Sequence, residues 1–568
     1  MTVVRSRVVD IFGLPVPGKQ VTARLHSPSR WLSDGSALVV EAARTTTGDD
    51  GYWEMDLTPQ SRFEAGRSFY SFSIPGQDKQ YAVVPDAGPV ELRDILVDPI
   101  SLDPVPGCPP PDPTEPDTAP DLVAELLEED PFYIAHRGSG NDHPEHTLEA
   151  YRAAVAAGAK AIEVSVLVTA DGVLVCGHDF TTDRTTGKAG VVRELHASGL
   201  LGYPVDMRKW LGPSWGTQRW PYLDEVLDEF GGRVVIFLEP KHPEAAIPCI
   251  NEISRRGLQN SVVYKSHRWG TYQAIAKAEG FRVWSYLDSD IPLDEAKSIA
   301  EEADFLGLPI RDDVSSMPDT PDTLIEDVVA IGKPVIVWPV SRRSAVERVT
   351  NLGVQGIMAS SWIYLSRSTP VLSRDTFASG TRAPGDTPRT MAPSYQPSWD
   401  DGAIVLDHPD QQSYMLGSLC PVEADEYKIR FDLAYDSVPA DGNRHSGLVF
   451  GRENDTPYEF GNGSINVVGG YHLVLRADGR LQIYRHDPGV SAGVNLASVN
   501  DTAPISGEWR TFEVVVTPEY ISLQRVNGTP SDIAVTNDTT YRGGYIHVAR
   551  NWEGALGPVR YRNIEVIY

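Results

Sequence analysis

The sequence predicts three folded parts: a small antiparallel β-sandwich, a central (β/α)8 TIM barrel and a second antiparallel β-sandwich. Three observations carry that expectation. Residues 101–121 and 371–399 are rich in Pro, which supports neither a helix interior nor a central strand, and both read as extended linkers. Between them, residues 122–370 alternate strand-like apolar runs with helix-like runs. Outside them, residues 1–100 and 400–568 carry short runs of two-residue period, broken by Gly and Pro.

In the first part the runs are VVRSRVVDI, QVTARL, ALVVEA and YWEMDL, and TTTGDDGYWEMDL reads as an acidic Gly-containing hairpin turn. The pattern resembles small Ig-like or carboxypeptidase-regulatory-like β-sandwiches. It is also similar to the N-terminal attachment domain of minor tail proteins from phages of actinobacteria, a likeness that extends to VPDAGPVELRDILVDP.

In the central part nine runs are strand candidates: FYIAHRG, AIEVSVLV, VLVCGHD, VVIFLEP, SVVYKS, RVWSYL, FLGLPI, VIVWPV and GIMASS. Nine is one more than a barrel needs, so one is expected to lie outside it. The intervening helical runs HTLEAYRAAVAAG, AAIPCINEISRRG, TYQAIAKAEG and SAVERVTNLG each end in Gly, a common helix stop. In the last part, RADGRLQIY reads as a hairpin turning at Asp478–Gly479. The order of runs there, closing on RNIEV, resembles concanavalin-like lectin/glucanase sandwiches, many of which bind glycans; Trp509 and Trp552 read as core or rim residues.

The formal net charge of −28 argues against a nucleic-acid partner, and any phosphate chemistry needs local positive charge. The four cysteines, Cys108, Cys176, Cys249 and Cys420, are too scattered for a zinc site or a disulfide framework. No run approaches the length of a membrane span, and the first residues do not read as a signal peptide.

The chemistry-bearing residues cluster at strand ends of the central part. His136 and Arg137 follow the first strand, and polar residues at the C-terminal ends of barrel strands face the catalytic mouth. A hairpin centred near Ala170–Asp171 would set Glu163 opposite His178. Glu239 and Lys241 end another strand and share a face. Lys265, at a further strand end, is a candidate phosphate contact. His143, His146 and His242 read as solvent-exposed polar residues flanking the motif loops, and His267 follows Lys265-Ser266 at the strand end.

In order and spacing, His136-Arg137-Gly138, then Pro144, Glu145 and Thr147, then Glu163, His178-Asp179, and Glu239 with Lys241 resemble the glycerophosphodiester phosphodiesterase family across most of residues 130–365. The resemblance implies that His136 and His178 are general acid and base, and that Arg137 and Lys241 hold phosphate. It implies that Glu163 and Glu239, with Ser165 in the third position, bind a divalent cation, Ca2+ or Mg2+, while Glu145 and Asp179 support the motif. Two positions depart from the family: its E-x-D element reads Glu163-Val164-Ser165, and a usual Asp after the closing strand is replaced by Ala359-Ser360. A neutral serine is the weaker ligand for a hard cation.

With the flanking domains, the resemblance implies a phage minor tail protein, extracellular on the virion tail. It would cut glycerol-phosphate linkages in a host cell-surface glycan or teichoic-acid-like polymer. Its partners would be other tail or baseplate proteins, in a possible homotrimer. The departures keep a catalytically weak receptor-binding adhesin open beside it, and a bacterial phosphodiesterase with a carbohydrate-binding accessory domain is the third reading.

Overall fold

The computed structural model describes residues 2–7, 17–26, 42–49, 52–57, 69–73, 80–82, 84, 89–92, 120–212, 215–266, 270–310, 319–367, 370, 373–377, 398–400, 402–407, 413–417, 419–456, 458, 465–550 and 557–568. Cys108, His267, Trp552 and all of the first Pro-rich stretch except residues 120–121 lie outside these. Two compact units result, Met1–Thr118 and Ala119–Tyr568.

In the first unit, Thr2–Arg7 pairs with Tyr52–Leu57 and Val90–Glu91, while Gln20–His26 pairs with Ala42–Thr46 and Phe69–Ser73. Alternate residues of these strands, among them Val4, Val21, Trp53, Met55 and Phe72, share one apolar core. The expected hairpin at TTTGDDGYWEMDL is corrected. Its turn, closed by the Gly48 N–H on the Tyr52 carbonyl, joins strands that belong to two different sheets.

The second unit opens with a closed barrel of eight parallel strands. In hydrogen-bonding order these are Phe132–Ala135, Ala161–Val168, Val235–Pro240, Val262–Ser266, Arg282–Tyr286, Phe305–Pro309, Val335–Val340 and Gly356–Ala359, which returns to the first. The third candidate in chain order, Leu174–Cys176, lies outside the barrel, antiparallel on Ala161–Val168. Strands such as Val235–Pro240 are buried along their whole length, because side chains fill the lumen on one face and helices cover the other. Phe132, Phe237, Trp284, Phe305 and Met358 are among the lumen core. Four of the covering helices end before Gly158, Gly257, Gly280 and Gly353, all left-handed, as the Gly-terminated runs predict. Cys176, Cys249 and Cys420 are buried free thiols.

Two antiparallel sheets complete the unit, one centred on Tyr427–Tyr435 and Val559–Ile567, the other on His445–Gly451 and Gly543–Arg550. They pack face to face: the Tyr561 hydroxyl of the first meets the carbonyls of Gly447 and Ala549 in the second at 2.8 and 2.6 Å. The hairpin at Asp478–Gly479 forms as expected, with Gly479 at φ 95°. Trp509 lies half-buried under the Arg562 guanidinium, 4.0 Å from the ring centre. Within the second Pro-rich stretch, Arg374–Asp375 adds to the Val559–Ile567 strand and Ser398–Asp400 pairs with Ala403–Leu406, while residues 371–372 and 378–397 lie outside the described residues. Among the described residues no helix is long and apolar enough to cross a membrane.

Candidate active site

The site is built at the C-terminal ends of the barrel strands. After Ala135 the chain turns sharply: Arg137, Gly138 and Ser139 are all left-handed, with φ of 55°, 76° and 71°. Such a run is costly for residues with side chains, and persists where surrounding contacts enforce it. Position 138 has room only for glycine, since a Cβ there would lie 2.9 Å from Ala150 Cβ. The turn aims the Arg137 N–H at Glu163 Oε2, 2.8 Å away. Parallel pairing sets Phe237 beside Glu163 and Glu239 beside Ser165, so both carboxylates reach the mouth from neighbouring strands.

Glu163 is fully buried and Glu239 nearly so. Lys265 lies between them, 1 % exposed, with Nζ 2.7 Å from Glu163 Oε1 and 3.2 Å from Glu239 Oε2. The ammonium is also 5.1 Å from the Trp284 ring centre and 5.5 Å from that of Tyr286. Ser165 Oγ donates to Glu163 Oε1 at 3.1 Å. Lys241 Nζ donates to Glu239 Oε1 at 3.0 Å, and the Tyr286 hydroxyl also bonds Glu239. Burial alone would raise both carboxyls; Lys265, with His136 beside Glu163 and Lys241 beside Glu239, holds both well below the usual carboxylate range.

His178 is oriented from both sides. Its Nδ1 meets Asp179 Oδ1 at 2.7 Å and its Nε2 lies 3.2 Å from Lys241 Nζ. An ammonium can only donate, so Nε2 accepts and the proton is on Nδ1. Arg184 then links the site's outer layer, donating to Asp179 at 2.5 Å and to both oxygens of Glu145 at 2.8 and 2.6 Å. Arg137 also reaches Glu145, at 3.2 Å, while its buried Nε has no partner. His136 Nδ1 is 3.2 Å from Ser360 Oγ, and its Nε2 is 4.0 Å from Glu163 Oε2. Burial, acting first, lowers the pKa of both His136 and His178.

The ten residues expected at the site are thus brought to one mouth, with three corrections. The hairpin register is one residue away from the expected one: Cys176 pairs with Val166, Gly177 N–H meets the Ser165 carbonyl, and the named ladder ends there. A one-residue slip exchanges faces, so His178 does not face Glu163 across a ladder; it enters from the loop, beside Lys241. Lys265, expected on phosphate, points its ammonium at the two carboxylates. His143 and His146 are buried rather than exposed, because the loop folds inward and sets His146 Nδ1 2.8 Å from the Tyr151 hydroxyl. His242 is half-buried and caps the helix Pro243–Arg255. Sequence reasoning missed Arg184, Tyr286 and the contact of Ser360. Arg184 had a signal, five residues beyond Asp179 at the start of a short helix that turns it back toward that carboxylate.

A divalent cation does not fit this arrangement. Ca2+ or Mg2+ takes six or more oxygens at roughly 2.0–2.6 Å, water among them, and is anchored by carboxylates whose oxygens are open to it. The space between Glu163 and Glu239 holds an ammonium, Ser165 acts as a donor to a carboxylate, and no group of three or more His, Cys, Asp or Glu that could hold a metal occurs among the described residues.

Residues 136–360 match the profile of the Glycerophosphoryl diester phosphodiesterase family. The chain is 31 % identical over 142 residues to a glycerophosphodiester phosphodiesterase of Bacillus subtilis, covering 24 % of this chain and 47 % of that one. It is 27 % identical over 232 residues to one of Caldanaerobacter subterraneus, covering 40 % and 92 %. The chain spans about half the length of the first curated relatives it matches. Among solved structures, an Oleispira antarctica phosphodiesterase in complex with the product sn-glycerol-3-phosphate aligns at 21 % identity and TM-score 0.36, over 43 % of this chain and 97 % of that one. The central part of the chain is therefore a domain of the glycerophosphoryl diester phosphodiesterase family.

Proposed function

We propose that the barrel hydrolyses glycerophosphodiesters, with His136 and His178 as its acid–base pair. The observation that carries this reading is the placement of His178 Nε2 and Lys241 Nζ, 3.2 Å apart, at a strand-end mouth shared with His136 and Arg137. Arg137, whose Nε is an unmet buried donor, and Lys241 hold the phosphoryl oxygens. A neighbouring glycerol hydroxyl or a water attacks phosphorus and gives its proton to one imidazole. The other imidazole protonates the alkoxide released as the P–O bond breaks. Asp179 keeps His178 in the tautomer that presents Nε2, and Ser360 orients His136. Incubating the full chain with glycerophosphocholine tests this. Release of glycerol 3-phosphate, lost in His178→Ala, is expected; no release at any pH from 6 to 9 refutes it.

The domain order supports a place of work on a cell surface. In this reading the chain is a phage minor tail protein on the virion. It works with other tail proteins, as a homotrimer, on glycerol-phosphate linkages of a wall polymer such as teichoic acid, while the last two sheets act as a lectin-like glycan-binding sandwich. Purified wall polymer should release glycerol phosphate or a cyclic phosphate, and light scattering should give three chains per particle. A second reading, a binding protein with weak catalysis, is favoured by Ser165 in place of Asp. It predicts adsorption to cells that is lost in His136→Ala, with no hydrolysis by the parent chain; adsorption left intact by that substitution favours catalysis as the role of the site.

A further inference from the structure

We propose that Lys265 is the built-in cation of this centre, and that its ammonium stands between Glu163 and Glu239 in place of a divalent metal ion. The catalytic half of this inference rests on the phosphodiesterase reading; the cation half does not.

Four observations carry it. First, the ammonium contacts both carboxylates that the family resemblance assigns to the metal, at 2.7 and 3.2 Å. Second, it is boxed in: the residue is 1 % exposed, and Trp284 and Tyr286 line the ammonium on its aromatic sides. A metal entering this space would have to displace the lysine from both carboxylates. Third, the charge already balances. Glu163 and Glu239 face Lys265 and Lys241, two negative against two positive charges, so a doubly charged ion would leave the buried cluster net positive. Fourth, Ser165 is matched to the lysine. A third carboxylate there would overload one ammonium, whereas the serine hydroxyl donates to Glu163 Oε1 and takes up one of its remaining lone pairs.

Position 165 and position 265 therefore form a linked pair, Ser with Lys, replacing Asp with a metal ion. Lys265 touches no reacting atom and is a positioning residue. By holding Glu163 it fixes the carboxylate that receives the Arg137 N–H and lies beside His136. Neutralising the phosphoryl oxygens then falls to Lys241 and Arg137, side chains that approach the mouth directly.

The test uses the full chain, dialysed against EDTA, with metal content by mass spectrometry and calorimetric titration of CaCl2, MgCl2 and MnCl2 to about 1 mM. No stoichiometric uptake is expected, and glycerophosphocholine hydrolysis should change by less than about twofold with EDTA or added cation. The double variant Ser165→Asp/Lys265→Gln should gain one bound cation per chain. Uptake of one cation by the parent chain that is abolished by Glu239→Gln overturns the proposal, as does a folded double variant that binds none. Should the double variant fail to fold, the parent measurement still decides. Absence of hydrolysis under every condition would refute the phosphodiesterase reading while leaving the uptake result to judge Lys265.

Discussion

Two buried acidic sites in the same compact unit solve one problem in opposite ways. At the barrel mouth, Glu163 and Glu239 are satisfied mainly by cations. At the seam between barrel and sheets, Asp455, 2 % exposed, is satisfied by neutral groups: the N–H groups of Arg343 and Ser344 at 2.6 and 2.9 Å and the Tyr364 hydroxyl at 2.7 Å. The carboxylate comes from a loop more than a hundred residues along the chain, yet it occupies the N-terminus of the helix Arg343–Asn351 as a capping side chain would. Fixed dipoles hold a carboxylate in one place and leave no charge to share. Ammonium groups hold it while keeping a strong field at the mouth, where an anionic substrate must bind. The first arrangement suits a joint and the second suits chemistry.

That contrast can be broken from either side. The largest effect is expected from Lys265→Met, which leaves two buried carboxylates without their shared cation. A loss of roughly 3–5 kcal/mol in chemical denaturation is predicted, and a near-neutral result would mean the cluster is far more hydrated than its burial implies. His178→Ala should lower kcat by about 10²–10⁴-fold with little change in stability, separating the chemistry of the mouth from its electrostatics. Asp455→Ala should cost about 1–2 kcal/mol and leave kcat unchanged. Denaturation followed by Trp fluorescence should then split into two transitions if this carboxylate is what joins the barrel to the sheets. The smallest effect concerns Asp538, where burial would raise the carboxyl but hydrogen bonds from Tyr471 and Arg485 lower it to about 2. A depressed folded value means the stabilisation is present above the ordinary Asp value of 3.8 and fades as pH falls toward 2. Asp538→Asn should remove that part of the acid sensitivity, as thermal melts between pH 2 and 5 would report.

Much of the mouth was legible because each strand announces its own end. A β/α barrel delivers strand C-termini to one face, so His136, Glu239 and Lys265 could be gathered from local pattern, whereas Glu163, the third residue of Ala161–Val168, was reached through the family resemblance and a hairpin register that the fold does not have. The hairpin at Ala170–Asp171 was misjudged by one residue because its register depends on the closing bonds of the turn, where Val173 N–H meets Thr169 Oγ1, and runs of apolar residues do not encode that. The buried state of His143 and His146 was hidden for a similar reason. Their loop looks polar, and only the fold of residues 136–146 over the first covering helix encloses them.

By itself the sequence determined the nine strands of the central part and their order, that one of them lies outside the barrel, the Gly-terminated helices and the identity of the groups at the mouth. These follow from the periodicity of apolar residues and from backbone preferences, which act over a few positions. Only the tertiary structure decided what those groups do to one another. Glu163 and Lys265 are separated by 102 positions, Asp455 and Arg343 by 112, and His136 and Ser360 by 224. Whether a strand-end lysine points to a phosphate or fills the gap between two carboxylates depends on the closed barrel, whose inward faces bring three strands within a salt bridge of each other. That is a matter of distance and dielectric, and neither is written in the order of residues.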